Sequence, residues 1–153
     1  MEPVVITTCS PSETQALGRR LGERLRPGDV VALYGSLGAG KTVLTKGIAE
    51  GLGISSLHVT SPTFVLVHEH TGRLRLFHLD AYRLKSGEDL DALGVDEILF
   101  GDGVTVIEWA DRVSSILPAE RLDIEIELSG TEARRVSLSA TGARGEQLAR
   151  ELV

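Results

Sequence analysis

Gly35-Ser36-Leu37-Gly38-Ala39-Gly40-Lys41-Thr42 fits the G-x-x-x-x-G-K-[ST] phosphate-binding pattern at every specified position. Glycines let such a loop bend so that successive backbone N–H groups point inward at phosphate oxygens, and the N-terminus of a following helix adds a favourable dipole. Lys41 can reach the β- and γ-phosphates as a point charge, while the Thr42 hydroxyl can ligate the magnesium that bridges them. The flanks agree with this reading. Val30-Val31-Ala32-Leu33-Tyr34 is a short apolar run that predicts a buried strand, and Val43, Leu44, Ile48 and Leu52 recur afterwards at helical spacing. Strand, loop, helix is the order a phosphate loop requires. With only three lysines in the chain, a glycine-rich turn carrying Lys and Thr here by accident is the weaker account.

Upstream, Val4 to Thr7 predicts a first strand, and Ser10-Pro11-Ser12-Glu13 matches a capping box with proline at the first helical position. Ala16 or Leu17, with Leu21 and Leu25, marks the buried stripe of that helix, which Pro27-Gly28-Asp29 ends. Gly18 and Gly22 suit either close packing or mere tolerance. Downstream, Gly51 and Gly53 predict the stop of the loop's helix. Phe64 to His70 and Leu74 to Asp80 read as a hairpin around Thr71-Gly72-Arg73. Glu88 to Leu93 predicts a short helix, and Val104 to Ile107 a strand that delivers Glu108 and Trp109 at its end. Leu122 to Leu128 alternates apolar and acidic residues as a strand with one wet face would, with Val136 to Ala140 as its partner. A short helix is expected near the end, with Leu148 and Leu152 at i, i+4.

Composition bounds the function. The 153 residues, 42% hydrophobic and 25% charged, suit one domain with a sizeable core. A formal net charge of −6 offers no basic stripe for autonomous nucleic-acid binding. The single Cys9 excludes an intramolecular disulfide and reads as a small, partly buried core residue. With no basic, apolar leader and no run long enough to span a bilayer, a cytoplasmic protein is expected.

A phosphate loop alone binds nucleotide; hydrolysis or transfer also needs an acidic group near the metal and something to position the nucleophile. Three stretches compete for those roles. Val104-Thr105-Val106-Ile107-Glu108 is an apolar strand ending in a carboxylate, the Walker B form with Glu for the commoner Asp, and such an end faces the crevice where open α/β sheets bind ligands. His78-Leu79-Asp80 also closes a strand with a carboxylate, although taken alone a strand-end Asp is more often a turn residue and His78 a structural one. Ser61-Pro62-Thr63-Phe64 is either a nucleotide-sensing switch or a plain turn.

The runs GSLGAGKT, SPTF at 61 to 64, HLDAYR at 78 to 83 and EWADR at 108 to 112, in that order in so short a chain, resemble the bacterial TsaE (YjeE) family. That family is the P-loop ATPase of tRNA threonylcarbamoyladenosine (t6A) biosynthesis. The resemblance covers essentially the whole chain. It implies a three-layer α/β P-loop fold in which a mainly parallel sheet, extended by antiparallel strands, is flanked by helices. It also implies an ATPase, weak alone, that works with TsaB and TsaD, meets tRNA only through that complex and uses ATP and Mg2+. By the same resemblance the nucleotide is held by residues 35 to 42: Gly35, Ser36, Leu37, Gly38, Ala39, Gly40, Lys41 and Thr42. Lys41 binds phosphate, Thr42 and Glu108 are the magnesium-associated positions, Asp80 is needed for hydrolysis, Thr63 is switch-like, and Trp109 lies beside the nucleotide. The family hints that adenine lies near Ser12 to Thr14 and Arg134. Ser36 departs from a frequent Asp, which implies altered tuning of activity with binding kept.

Two other readings use the same loop. A small-molecule kinase needs an acceptor pocket and an arginine-rich lid, and no such lid is evident. A nucleotide-sensing module would bind without turnover, which Asp80 and Glu108 argue against. The absence of Asn from the chain rules out the Asn-Lys-x-Asp guanine-reading motif and favours ATP over GTP.

Overall fold

A computed structural model describes residues 2–36, 38–59, 67–81 and 101–153. In chain order these form β1 (Val4–Thr8), α1 (Pro11–Arg24), β2 (Val30–Tyr34), α2 (Lys41–Gly51), a 3-10 turn (Ser56–His58), β3 (Val67–Thr71) and β4 (Arg75–Asp80). Then come β5 (Val104–Glu108), a 3-10 segment (Ala110–Ile116), β6 (Arg121–Leu128), β7 (Arg134–Thr141) and α3 (Gly142–Glu151).

The described strands make one seven-stranded sheet in the order β1-β7-β6-β2-β5-β4-β3. Its middle is parallel: β6, β2, β5 and β4 all run one way. The outer pairings, β1 with β7, β7 with β6 and β4 with β3, are antiparallel. Strand composition explains the placement. All five residues of β5 and the first four of β2 are buried, as strands covered on both faces must be, whereas β6 alternates.

Two hydrophobic clusters fill the space on either side of the sheet. Val31 and Leu33 of β2 face one with Leu21 of α1, Leu44 and Ile48 of α2, and Leu148 and Leu152 at the chain's end. Val30 and Ala32, the alternate positions, face the other with Leu79, Ile107, Ala110 and Val113. Helices on one face and the 3-10 segment on the other give the three layers.

The start of α1 follows its capping signal. Ser10 Oγ accepts from the Glu13 N–H at 3.2 Å, and Glu13 Oε2 accepts in return from the Cys9 N–H at 3.3 Å, one residue upstream of the usual reciprocal bond. Between α1 and α2 the glycines settle in favour of close packing. A Cβ on Gly18 would stand 2.3 Å from the Leu44 carbonyl oxygen, and one on Gly47 would stand 2.0 Å from that of Gln15. Gly22 and Gly51 are equally tight, at 2.2 Å from Ile48 O and 2.4 Å from Arg19 O. Gly51 is thus a helical contact residue more than a stop, and Gly53, at φ +80°, makes the turn.

Cys9 departs from expectation: it is exposed. Thr8, the last residue of β1, takes the inward position instead, 3% exposed with its hydroxyl 2.7 Å from that of Thr14. Cys9 is left outside at the entry to α1. The described part of the hairpin is Val67–Thr71 and Arg75–Asp80, with Phe64 to Leu66 outside the described residues, and α3 starts at Gly142, earlier than its apolar pair suggests. The expected helix at Glu88 to Leu93 and the SPTF stretch lie outside the described residues.

Candidate active site

β2 runs straight into the phosphate loop and α2 leaves it, so the fold presents the loop at the C-terminal end of the parallel strands. Gly38 and Gly40 have φ of +78° and +111°, a region that side chains rarely adopt, and Gly40 is the N-cap of α2. No acidic residue occupies the first turn of α2, so the helix itself places no carboxylate against the positive end of its dipole. Lys41, the first helical residue, is only 5% exposed, and its ammonium donates to the loop carbonyls of Gly35 and Ser36.

The carboxylates reach the loop through sheet register. β5 pairs with β2 so that Glu108 lies opposite Leu33, and β4 pairs with β5 so that Asp80 lies opposite Glu108. Two residues far apart in sequence therefore end adjacent parallel strands side by side. Burial lowers the Lys41 pKa, and the charges of Glu108, Asp80 and Asp111 push it back up. Lys41 thus lies within the field of both predicted carboxylates.

Glu108 is 3% exposed, and its Oε2 bonds Nε2 of His78, which is fully buried. The Nδ1 of His78 is buried without a hydrogen-bond partner among the described residues. His68 lies opposite His78 in the hairpin ladder, its ring edge-on at 6.4 Å between centroids.

Trp109 follows with φ 59° and ψ 42°, the one non-glycine among the described residues at positive φ. For a bulky residue this conformation costs on the order of 1–3 kcal/mol and tends to be kept where surrounding structure enforces it at a working site. Here it breaks the β5 path at Glu108 and brings the indole to the phosphate loop, with Lys41 Nζ 4.0 Å from the ring centroid, a cation–π contact.

The donor set suits magnesium. Mg2+ takes oxygen ligands, commonly one or two carboxylates with the rest supplied by phosphates and water. Glu108, Asp80 and the hydroxyl of Thr42, in the first turn of α2, are of that kind. Among the described residues no three His, Cys, Asp or Glu side chains form a closed metal cage. On the other side of the loop a small cleft is lined by Pro11, Thr14, Gly40, Val43, Glu132 and Arg134. Arg134 reaches across from β7 to donate from Nε to the Ala39 carbonyl at 2.8 Å, which ties that cleft to the phosphate loop.

The structure therefore brings together Lys41, Thr42, Asp80, Glu108 and Trp109 around Gly35, Ser36, Gly38, Ala39 and Gly40. Leu37 and Thr63 lie outside the described residues. The hint of a subsite near Thr14 and Arg134 coincides with the small cleft. The sequence alone assigns His78 no role in the site, whereas the structure bonds it to Glu108. Its position two residues before Asp80 on the same strand face was a signal, but only the β4–β5 register shows which carboxylate it meets.

Residues 8–136 match the family model for "Threonylcarbamoyl adenosine biosynthesis protein TsaE". The chain is 44% identical over 146 residues to the tRNA threonylcarbamoyladenosine biosynthesis protein TsaE of Bacillus subtilis, covering 95% of this chain and 90% of that protein. It is 43% identical over 130 residues to the protein of the same name in Treponema pallidum, covering 85% of this chain and 96% of the relative. The crystal structure of YdiB from Bacillus subtilis superposes with a TM-score of 0.84 at 41% identity, covering 99% of this chain and 94% of that one. Motifs, fold and relatives agree over nearly the full length, and the chain belongs to the TsaE family.

Proposed function

We propose that this chain binds Mg·ATP and hydrolyses it as the nucleotide-driven subunit of t6A formation at adenosine 37 of tRNAs reading ANN codons. It works with TsaB and TsaD, in the cytoplasm, as one ATPase domain. TsaD carries out the transfer, and ATP turnover here resets the complex between cycles. The involvement in t6A biosynthesis rests on the relatives named for that pathway. The observation that carries the hydrolytic reading is the meeting of Lys41 with Asp80 and Glu108 at the ends of adjacent parallel strands.

In this mechanism the loop N–H groups and Lys41 hold the β- and γ-phosphates. Thr42 and Glu108 are the residues that would hold magnesium, which supplies charge neutralisation between those phosphates when bound. Asp80 orients the attacking water, and its carboxylate accepts a proton from it. Trp109 covers the lysine side of the site and keeps bulk water from it. The lysine's bonds to its own loop carbonyls and its contact with Trp109 must be exchanged for phosphate contacts, which favours slow turnover by the isolated chain.

ATP turnover measured with and without TsaB and TsaD is the test. Stimulation by the two partners together is expected. Turnover that stays at background in their presence, with nucleotide still bound, would replace this reading with that of an ATP-sensing module.

A further inference from the structure

His78 poses a problem that its burial sharpens. It is fully buried, and among the described residues Nδ1 has no partner and the ring's one polar contact is with Glu108. Leaving a buried ring nitrogen unpaired costs stability that an apolar side chain in the same space would not. Paired with a carboxylate oxygen, the ring spends Nε2 on Glu108 and leaves Nδ1 without a partner among the described residues. What the imidazole gains in return is control of Glu108. A glutamate has three side-chain torsions, and without a bond to Oε2 nothing among the described residues fixes this carboxylate against the pull of Lys41. With Oε2 held, Oε1 is the oxygen left for other ligands. The ring is itself braced by His68 across the ladder.

We propose that His78 is a positioning residue for Glu108, holding the carboxylate in the orientation that serves magnesium on the bound nucleotide. The inference rests on the reading of the site as one for Mg·ATP. It adds a residue acting through Glu108, in the way that partners of metal-ligating groups fix their ligands.

The test compares wild type, His78→Leu, His78→Gln and His78→Asn. Trp109 fluorescence would follow binding of a non-hydrolysable ATP analogue, with excess Mg2+ and with EDTA, alongside ATP turnover in the presence of TsaB and TsaD. Gln places an amide nitrogen where Nε2 stands, and Asn places one where Nδ1 stands. His78→Leu is expected to lose about 10–100-fold of the magnesium-dependent gain in affinity and of turnover, with metal-free affinity unchanged. His78→Gln should restore most of both, and His78→Asn should not. If His78→Leu does not fold, the Gln and Asn pair decides. A full magnesium effect in His78→Leu, or equal behaviour of the Gln and Asn variants, overturns the assignment while leaving the nucleotide site intact. Wild type without any magnesium effect overturns the site reading and this inference with it.

Discussion

At the scale of single residues, Lys41 and Asp80 separate binding from chemistry. Lys41 is buried against its own loop, so Lys41→Ala removes the charge that phosphate would pair with and leaves the backbone cradle. A charged hydrogen bond of this kind is worth about 1.5–3 kcal/mol, and nucleotide affinity should fall roughly 10–100-fold with turnover abolished. Asp80→Ala leaves the cradle and the bonds of Lys41 to Gly35 and Ser36 in place; nucleotide affinity should stay within a few-fold while turnover falls by about 100-fold or more, the scale of a lost proton acceptor. Trp109, the chain's single tryptophan and in contact with Lys41, reports the affinities by fluorescence, and turnover assays report the rest. Wild-type turnover in Asp80→Ala would remove that carboxylate from the mechanism. Lys41 was legible in the sequence because the phosphate-loop motif fixes its chemistry, whereas the roles of Asp80 and Trp109 were expected only from the family resemblance. Cys9 was not legible: whether a residue at a strand–helix junction faces in or out depends on where the strand stops, and Thr8 claimed the inward place.

At the scale of elements, the α1–α2 contact is set by glycines whose absent side chains let two backbones touch. Gly47→Ala brings two opposed effects. Alanine in a helix interior gains about 1 kcal/mol over glycine, while overpacking costs about 1–3 kcal/mol when neighbours can shift. The neighbour here is the Gln15 carbonyl, 2.0 Å from the new Cβ, and a backbone in a packed helix yields little. Destabilisation should win, read as a lowered denaturant midpoint in Gly47→Ala relative to wild type; a raised midpoint would contradict the close contact. The β3–β4 hairpin carries a pH dependence of its own. Burial, with neighbouring histidines, lowers the pKa of His68 and His70, so the folded chain takes up these protons later than the unfolded chain does. The unfolded state therefore binds more protons below about pH 6.5, and stability held above that pH is lost as pH falls through the folded values. Melting temperature should drop between pH 7 and pH 5, and His70→Leu should flatten the drop. The hairpin was readable from β-rich runs around a glycine turn, whereas the gathering of His68, His70 and His78 required the cross-strand register.

At the scale of the whole molecule, the order of strands is what the sequence conceals. Periodicity shows that β2, β4 and β5 exist, but not that β5 inserts between the other two. Only that insertion sets Asp80 beside Glu108 and both beside the phosphate loop. The same sheet separates function from stability along its length, because β2 ends at the loop and begins at a structural clamp. Asp29, just before β2 and 7% exposed, takes three hydrogen-bond contacts from Arg144 of α3 at 2.8–3.2 Å and one from the Arg26 N–H at 2.7 Å. Arg144 also donates to the Arg24 carbonyl at 2.8 Å, closing α1, β2 and α3 into one junction. Arg144→Leu would leave a buried carboxylate without its cation, a change that costs about 3–5 kcal/mol in a fully buried pair. The Arg144 side chain is 17% exposed, so water can replace part of the lost contact and the lower end, about 3 kcal/mol, is expected. Because the clamp and the phosphate loop sit at opposite ends of β2, nucleotide affinity measured well below the melting temperature should be unchanged. A variant that unfolds earlier yet binds nucleotide normally is the expected result. Weakened binding in a still-folded Arg144→Leu would show instead that strain at the foot of β2 is passed along the strand to the loop.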